Sequence, residues 1–260
     1  MSDHQPDRHD ERPRSADAVR RGALALAAIL VLALPAALHH TLPQLEQRPA
    51  AVEQPKAPVA KLRQERRFAH FNGESASLDV RRMAHWVADS RDNGTRSFVI
   101  IDKREARVYL FDRNARLQAA VPALLGSARG DDTFPGVGDK PIAEVRDEEK
   151  TTPAGRFIAE VGESSSRGED VVWVDYDAAV SMHRIIQKPE RLQAMATPTP
   201  EDNRMSFGCV NLPVDFYEQA LRPAVDRDGV VIYVLPETRP LEQTFASFYD
   251  VRVPTRVAQH

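Results

Sequence analysis

One cysteine, Cys209, stands in 260 residues, which excludes an intrachain disulfide framework and any multi-cysteine metal site. Excess charge is also missing. A net charge of -3 at pH 7 excludes a basic coat for duplex nucleic acid. Glycine (12) and proline (19) are too few for collagen or for disorder throughout. Lysine is nearly absent beside arginine, 6 against 29, which reads as codon usage. What is present is an ordinary globular composition, 42% apolar and 28% charged, in a chain long enough to enclose a core in one or two domains.

Long apolar runs are scarce too, and the exception lies near the start. Residues 1–21 are polar and rich in Arg, Asp, Pro and His, so a disordered cytoplasmic tail is expected there. Residues 23–38 read ALALAAILVLALPAAL, somewhat short of the ~20 residues that cross a bilayer, and the flanks extend the run to 22–40. A buried soluble helix would not be expected between two polar segments. A cleaved signal peptide wants an A-x-A-like exit, which Leu34-Pro35-Ala36-Ala37-Leu38-His39 does not cleanly supply. A retained signal anchor fits better. Arg8, Arg12, Arg14, Arg20 and Arg21 precede the run, whereas Arg48 and Lys56 alone follow it within about twenty residues. The expectation is a single-pass inner-membrane protein whose body lies in the periplasm, with secretion after cleavage as the alternative. Pro43, Pro49, Pro55 and Pro58 then mark a semi-extended linker, taken as 41–75.

Past the linker, a helical lead-in is expected at 76–95. Ser77 can cap a helix over 77–90 on which Val80, Met83, Ala84 and Val87 share one face, and Asn93-Gly94 ends it. Short β-rich runs follow at 97–101, 107–111, 116–125, 155–161, 171–175 and 179–183, with a glycine-rich loop at 126–138. Helical spacing of Leu212, Phe216 and Ala220 predicts a helix over 211–225, and VVIYVL at 230–235 reads as a buried strand. The fold class is therefore mainly β with a few helices over 96–236, followed by a C-terminal extension at 237–260.

Chemistry is concentrated around the single thiol. Cys209 sits between a polar loop and the helix expected from Asn211, where unpaired amides would favour thiolate over thiol. Gly208 lets the backbone approach closely, so amides there could stabilise an oxyanion. The competing possibility is an inert buried cysteine. His183 is the sole imidazole of the β domain, as Cys209 is its sole thiol, and a Cys–His pair makes acyl-enzyme chemistry available. The acidic runs Asp131-Asp132 and Asp147-Glu148-Glu149 lack ligand spacing and read as solvated loop charges, so no metal is expected. Trp173 and Tyr176 could line a groove but more simply pack a strand pair. No helix opens after the 126–138 loop, so nucleotide binding is not indicated and no cofactor is expected.

Three stretches in order resemble the L,D-transpeptidases with the YkuD-type catalytic domain. They are Thr152-Pro153-Ala154-Gly155-Arg156-Phe157, then His183, then Ser206-Phe207-Gly208-Cys209-Val210-Asn211. The opening hairpin, Phe98 to Asp102 and Val108 to Phe111, is also similar to that domain's first strands, and the resemblance covers about 96–236. It implies a YkuD-like β-sandwich or barrel that acts on peptidoglycan stem peptides. Cys209 would be the nucleophile and His183 its base, with the backbone carbonyl of Arg184 holding the imidazole. Gly208 and Cys209 would donate to the oxyanion, Ser206 would shape the loop, and Asn211 would stand where many members carry a substrate-binding arginine. The product would be a 3→3 crosslink, or a protein attached to the wall. Hydrolysis of the same acyl-enzyme and a catalytically silent wall-binding module are the alternatives.

Three features depart from the pattern. Phe207 replaces a histidine, Arg184 replaces a glycine, and the gap from His183 to Cys209 is lengthened by a stretch, 188–200, that reads as a short helix and a proline-rich lid.

Overall fold

The computed structural model describes residues 65–164 and 168–251. The tail, the apolar run and most of the linker expected at 41–75 lie outside those residues, as does the end of the extension, 252–260. Among the described residues no helix is long and apolar enough to cross a membrane.

The chain opens with α1 (Leu78–Ser90), whose Ser77 cap accepts from the Val80 amide at 3.2 Å. The strands follow as β1 (Ser97–Asp102), β2 (Arg107–Phe111), β3 (Leu117–Pro122), β4 (Leu125–Gly126), β5 (Gly155–Ile158), β6 (Glu160–Ser164), β7 (Glu169–Asp175) and β8 (Val180–Arg184). After α2 (Pro189–Ala196) come β9 (Arg204–Ser206), β10 (Val210–Leu212), α3 (Val214–Phe216), a π-helical turn (Tyr217–Leu221), α4 (Arg222–Asp228), β11 (Val230–Val234) and α5 (Leu241–Thr244). One sheet has the order β3-β2-β1-β11-β5, a second β10-β8-β7-β6, and β4 pairs with β9. The mainly β class with several sheets and few helices is what the structure has.

Successive side chains point to opposite sides, and the central strands β1, β2 and β11 of the first sheet are buried on both faces. Val99, Ile101, Val108, Leu110, Val230 and Ile232 point into one core, which they share with Val172, Val180, Met182, Val210 and Leu212 of the second sheet. Phe98, Ile100, Tyr109, Phe111, Val231 and Tyr233 point the other way, against Val80, Met83, Trp86 and Val87 of α1 and against Leu241, Phe245 and Phe248. The lead-in helix and the described part of the extension thus pack into the same core as the strands between them.

Three elements differ from the sequence expectation, the first being the strand expected at 116–125, which is two, β3 in the first sheet and β4 paired with β9. The single strand expected at 155–161 is two, β5 and β6, and they join different sheets. Between them the Ala159 amide donates to the Val230 carbonyl, at the turn-over from one sheet to the other. The helix expected from Asn211 begins only at Val214. Val210 and Leu212 enter the core while Asn211 faces away, a strand pattern that the helical spacing of Leu212, Phe216 and Ala220 hid. Pro213, with φ -52 and no amide hydrogen to donate, separates strand from helix.

Candidate active site

β8 and β10 lie side by side in parallel, with Val210 opposite Met182, Asn211 opposite His183 and Leu212 opposite Arg184. Val180, Met182, Val210 and Leu212 occupy the core face. Ser181, His183 and Asn211 therefore share the other face, and Cys209, two residues before Asn211, extends that row. Its Sγ lies 3.8 Å from Ser181 Oγ and 3.6 Å from the carbonyl oxygen of Ala179. The only thiol and the only imidazole of the strand region, 26 residues apart in sequence, are brought to diagonal positions of one parallel pair.

His183 is buried, at 5% exposure, and its Nδ1 donates to the carbonyl oxygen of Arg184 at 2.7 Å. Because a carbonyl can only accept, the bond places the hydrogen on Nδ1 and leaves Nε2 of the neutral ring as a base. The Arg184 side chain takes no part. On the opposite face of β8 it pairs with Asp170 (2.8 Å) and Glu218 (2.5 Å), and its guanidinium lies 4.2 Å from the centroid of the Tyr217 ring.

The loop before the thiol is tied by short local bonds. Ser206 Oγ donates to the Cys209 carbonyl at 2.6 Å and accepts from the Gly208 amide at 3.1 Å. The Gly208 N–H, expected as an oxyanion donor, is thus already bonded within the loop. Cys209 leads directly into a strand and the next helix starts five residues later, so the helix-terminus field expected at the thiol is absent. Thr152, fully buried, clamps the same loop: its Oγ1 donates to the Gly208 carbonyl at 2.8 Å and accepts from the Gly126 amide at 3.0 Å. In the sequence Thr152 stands out only as part of the 152–157 motif, and nothing local marks this clamp.

Gly208 adopts φ +123, and a Cβ there would lie 2.7 Å from the Thr151 carbonyl oxygen. Gly208→Ala is expected to cost about 1–3 kcal/mol from backbone strain alone. The same change should displace Cys209 enough to slow its alkylation by iodoacetamide, read as a second-order rate beside a urea melt. An unchanged rate and midpoint would remove the loop from the argument.

Asn211 is 1% exposed and does not face solvent. Its Oδ1 accepts from Arg191 Nη1 at 2.9 Å, and its Nδ2 lies 3.4 Å from the Cys209 carbonyl oxygen. Phe207, by contrast, is 47% exposed, with Lys150 Nζ 4.5 Å from its ring centroid. Trp173 and Tyr176 meet edge to face at 5.1 Å, and Tyr176 stays largely exposed.

Two of the five acidic residues expected to be solvated are not. Asp131 and Glu149 are buried, while Asp132, Asp147 and Glu148 remain at the surface. Glu149 accepts from Lys140 at 2.6 Å and from Arg146 at 2.9 Å, and these bonds hold its carboxyl down at about 2. Asp131 faces Lys103, the one fully buried lysine among the described residues, at 2.8 Å. Lys103 also donates to the carbonyl oxygens of Gly130 (2.5 Å) and Thr152 (2.9 Å). Burial would raise the Asp131 carboxyl, but bonds from Lys103, the Thr238 hydroxyl and the Glu237 and Thr238 amides outweigh it and hold it well below the usual carboxylate range. The composition around Asp131 carries no sign of this, because its partners lie 28 and 106 or more residues away. Among the described residues no group of three or more His, Cys, Asp or Glu side chains is placed to hold a metal ion.

No family model matches the chain, and no curated protein matches it. Solved structures similar to it include three L,D-transpeptidases. The catalytic domain of an L,D-transpeptidase from E. faecium is 15% identical with a TM-score of 0.35, over 54% of this chain and 98% of that one. The L,D-transpeptidase LdtMt1 in complex with imipenem is 19% identical with a TM-score of 0.31, over 54% of this chain and 58% of that one. An L,D-transpeptidase (Yku) from Stackebrandtia nassauensis is 17% identical with a TM-score of 0.32, over 64% and 69%.

Proposed function

We propose that this chain is a cysteine acyltransferase acting on peptidoglycan stem peptides in the periplasm, held at the inner membrane by its N-terminal apolar run. The observation that carries the chemistry is the shared face of Cys209 and His183 on the β8–β10 pair, with the imidazole tautomer set by the Arg184 carbonyl. The substrate class comes from the motif resemblance at 152–157, His183 and 206–211.

In the first half-reaction His183 Nε2 takes the thiol proton and Cys209 Sγ attacks the carbonyl carbon of the donor amide. The oxyanion so formed is met by the Cys209 amide, since the Gly208 amide is engaged by Ser206. The imidazolium then protonates the leaving D-alanine nitrogen as the C–N bond breaks, leaving a thioester on Cys209. In the second half-reaction an acceptor amine attacks the thioester, gives its proton to His183, and the thiolate departs with a new amide formed. Water in place of the amine yields a free acid, the hydrolytic alternative. The acceptor amine can belong to a neighbouring stem or to a wall-attached protein.

Incubating the full chain with a carbapenem is expected to add one intact β-lactam mass to the wild type and none to Cys209→Ser. No adduct on the wild type, under conditions that label a known transpeptidase, would leave only a wall-binding role. Muropeptides from cells carrying wild type or Cys209→Ser then separate transfer (new dimers) from hydrolysis (shortened stems).

A further inference from the structure

We propose that Arg191, carried by α2, recognises a carboxylate of the acyl donor. This rests on the acyl-transfer reading of Cys209 and His183. α2 lies within the stretch that lengthens the gap between those two residues. It packs through Ala194 against Leu124 and Ile185. Ile185 is two residues beyond His183, and its amide continues the parallel ladder to the Leu212 carbonyl, so it lies on the same face as the imidazole. Arg191, one turn before Ala194, shares that side of the helix. The row of Cys209, His183 and Asn211 is thus covered at one end by a helix that brings a guanidinium to it.

The state of that guanidinium points to a ligand. Arg191 is half-buried, and its Nη1 is held at 2.9 Å by the Oδ1 of fully buried Asn211, the register partner of His183. Among the described residues no carboxylate pairs with it. Arg184, Arg204 and Arg82 each meet at least one acid within 2.8 Å. A planar fork fixed by one neutral bond keeps further N–H donors for a two-point bond to a carboxylate. Asn211, whose amide oxygen is turned to Arg191, acts by setting that fork rather than by touching substrate.

The test compares two donors on the full chain: a stem tetrapeptide with free carboxylates, and the same peptide with every carboxylate converted to carboxamide. Arg191→Ala is expected to lower kcat/KM for the free-acid donor by about tenfold to a hundredfold, mainly through KM, because a charge-assisted bond is lost. The loss on the carboxamide donor should be at least about tenfold smaller. Arg191→Lys, which keeps charge without the fork, should fall between. Equal losses on both donors would make α2 a purely structural cover, and no loss on either would remove Arg191 from recognition; each overturns the proposal. If Arg191→Ala does not fold, Arg191→Gln carries the same comparison. A wild type acylated by neither donor defeats the underlying acyl-transfer reading, an outcome distinct from an active wild type indifferent to Arg191.

Discussion

Cys209→Ala should abolish acyl transfer while leaving the protein as stable as the wild type. Removal of a covalent nucleophile is expected to cost more than about 10⁴-fold in kcat/KM, since residues acting as a unit fail together. The fold should not notice. Cys209 belongs to none of the apolar clusters, and among the described residues its sulfur makes only long contacts, to Ala179 and Ser181. Donor turnover measured beside a thermal melt decides the matter. His183→Ala should lose about 10² to 10⁴-fold, the usual worth of a positioned base. Turnover by Cys209→Ala above the background rate would place the chemistry elsewhere.

The second large effect lies beneath the site. Asp131→Ala removes the carboxylate that meets fully buried Lys103 at 2.8 Å and leaves Glu237, at 3.7 Å, as the remaining acid beside it. Stripping one partner from a buried pair costs about 3–5 kcal/mol, because the other charge stays desolvated. Urea unfolding should show that loss, whereas a Lys103→Met, Asp131→Leu double variant should recover much of it. A loss under about 1 kcal/mol in Asp131→Ala would mean that Glu237 alone carries the charge.

The same pair sets an acid limit on stability. The Asp131 carboxyl is held below its unfolded value of 3.8, so its contribution is complete above that value. It is lost as pH falls through the folded value. Unfolding free energy should therefore drop on acidification below about pH 4, and less steeply in Asp131→Asn. The effect should also reach the thiol loop, because Lys103 holds the Thr152 carbonyl and Thr152 Oγ1 holds that of Gly208.

Much of the β framework was legible beforehand. The apolar, β-rich runs at 97–101 and 107–111 read directly as β1 and β2, and VVIYVL as β11, because a strand buried on both faces needs apolar residues at nearly every position. The helix over 77–90 likewise follows from its spacing and its Ser77 cap. Asn211 shows where local pattern misleads: Leu212, Phe216 and Ala220 carry helical spacing, yet a three-residue strand and Pro213 intervene before the helix.

By composition and order alone, the sequence determined a single thiol, a single domain imidazole and the motif stretches around them. Those are properties of a string, and no fold is needed to count them. Only the tertiary structure decided that Cys209 and His183 share a face, that Asp131 is buried on Lys103, and that Arg191 reaches Asn211 from a separate helix. The physical reason is the same in each case. Side-chain direction and desolvation depend on strand register and on partners 20 or more residues away, and neither leaves a mark on local composition.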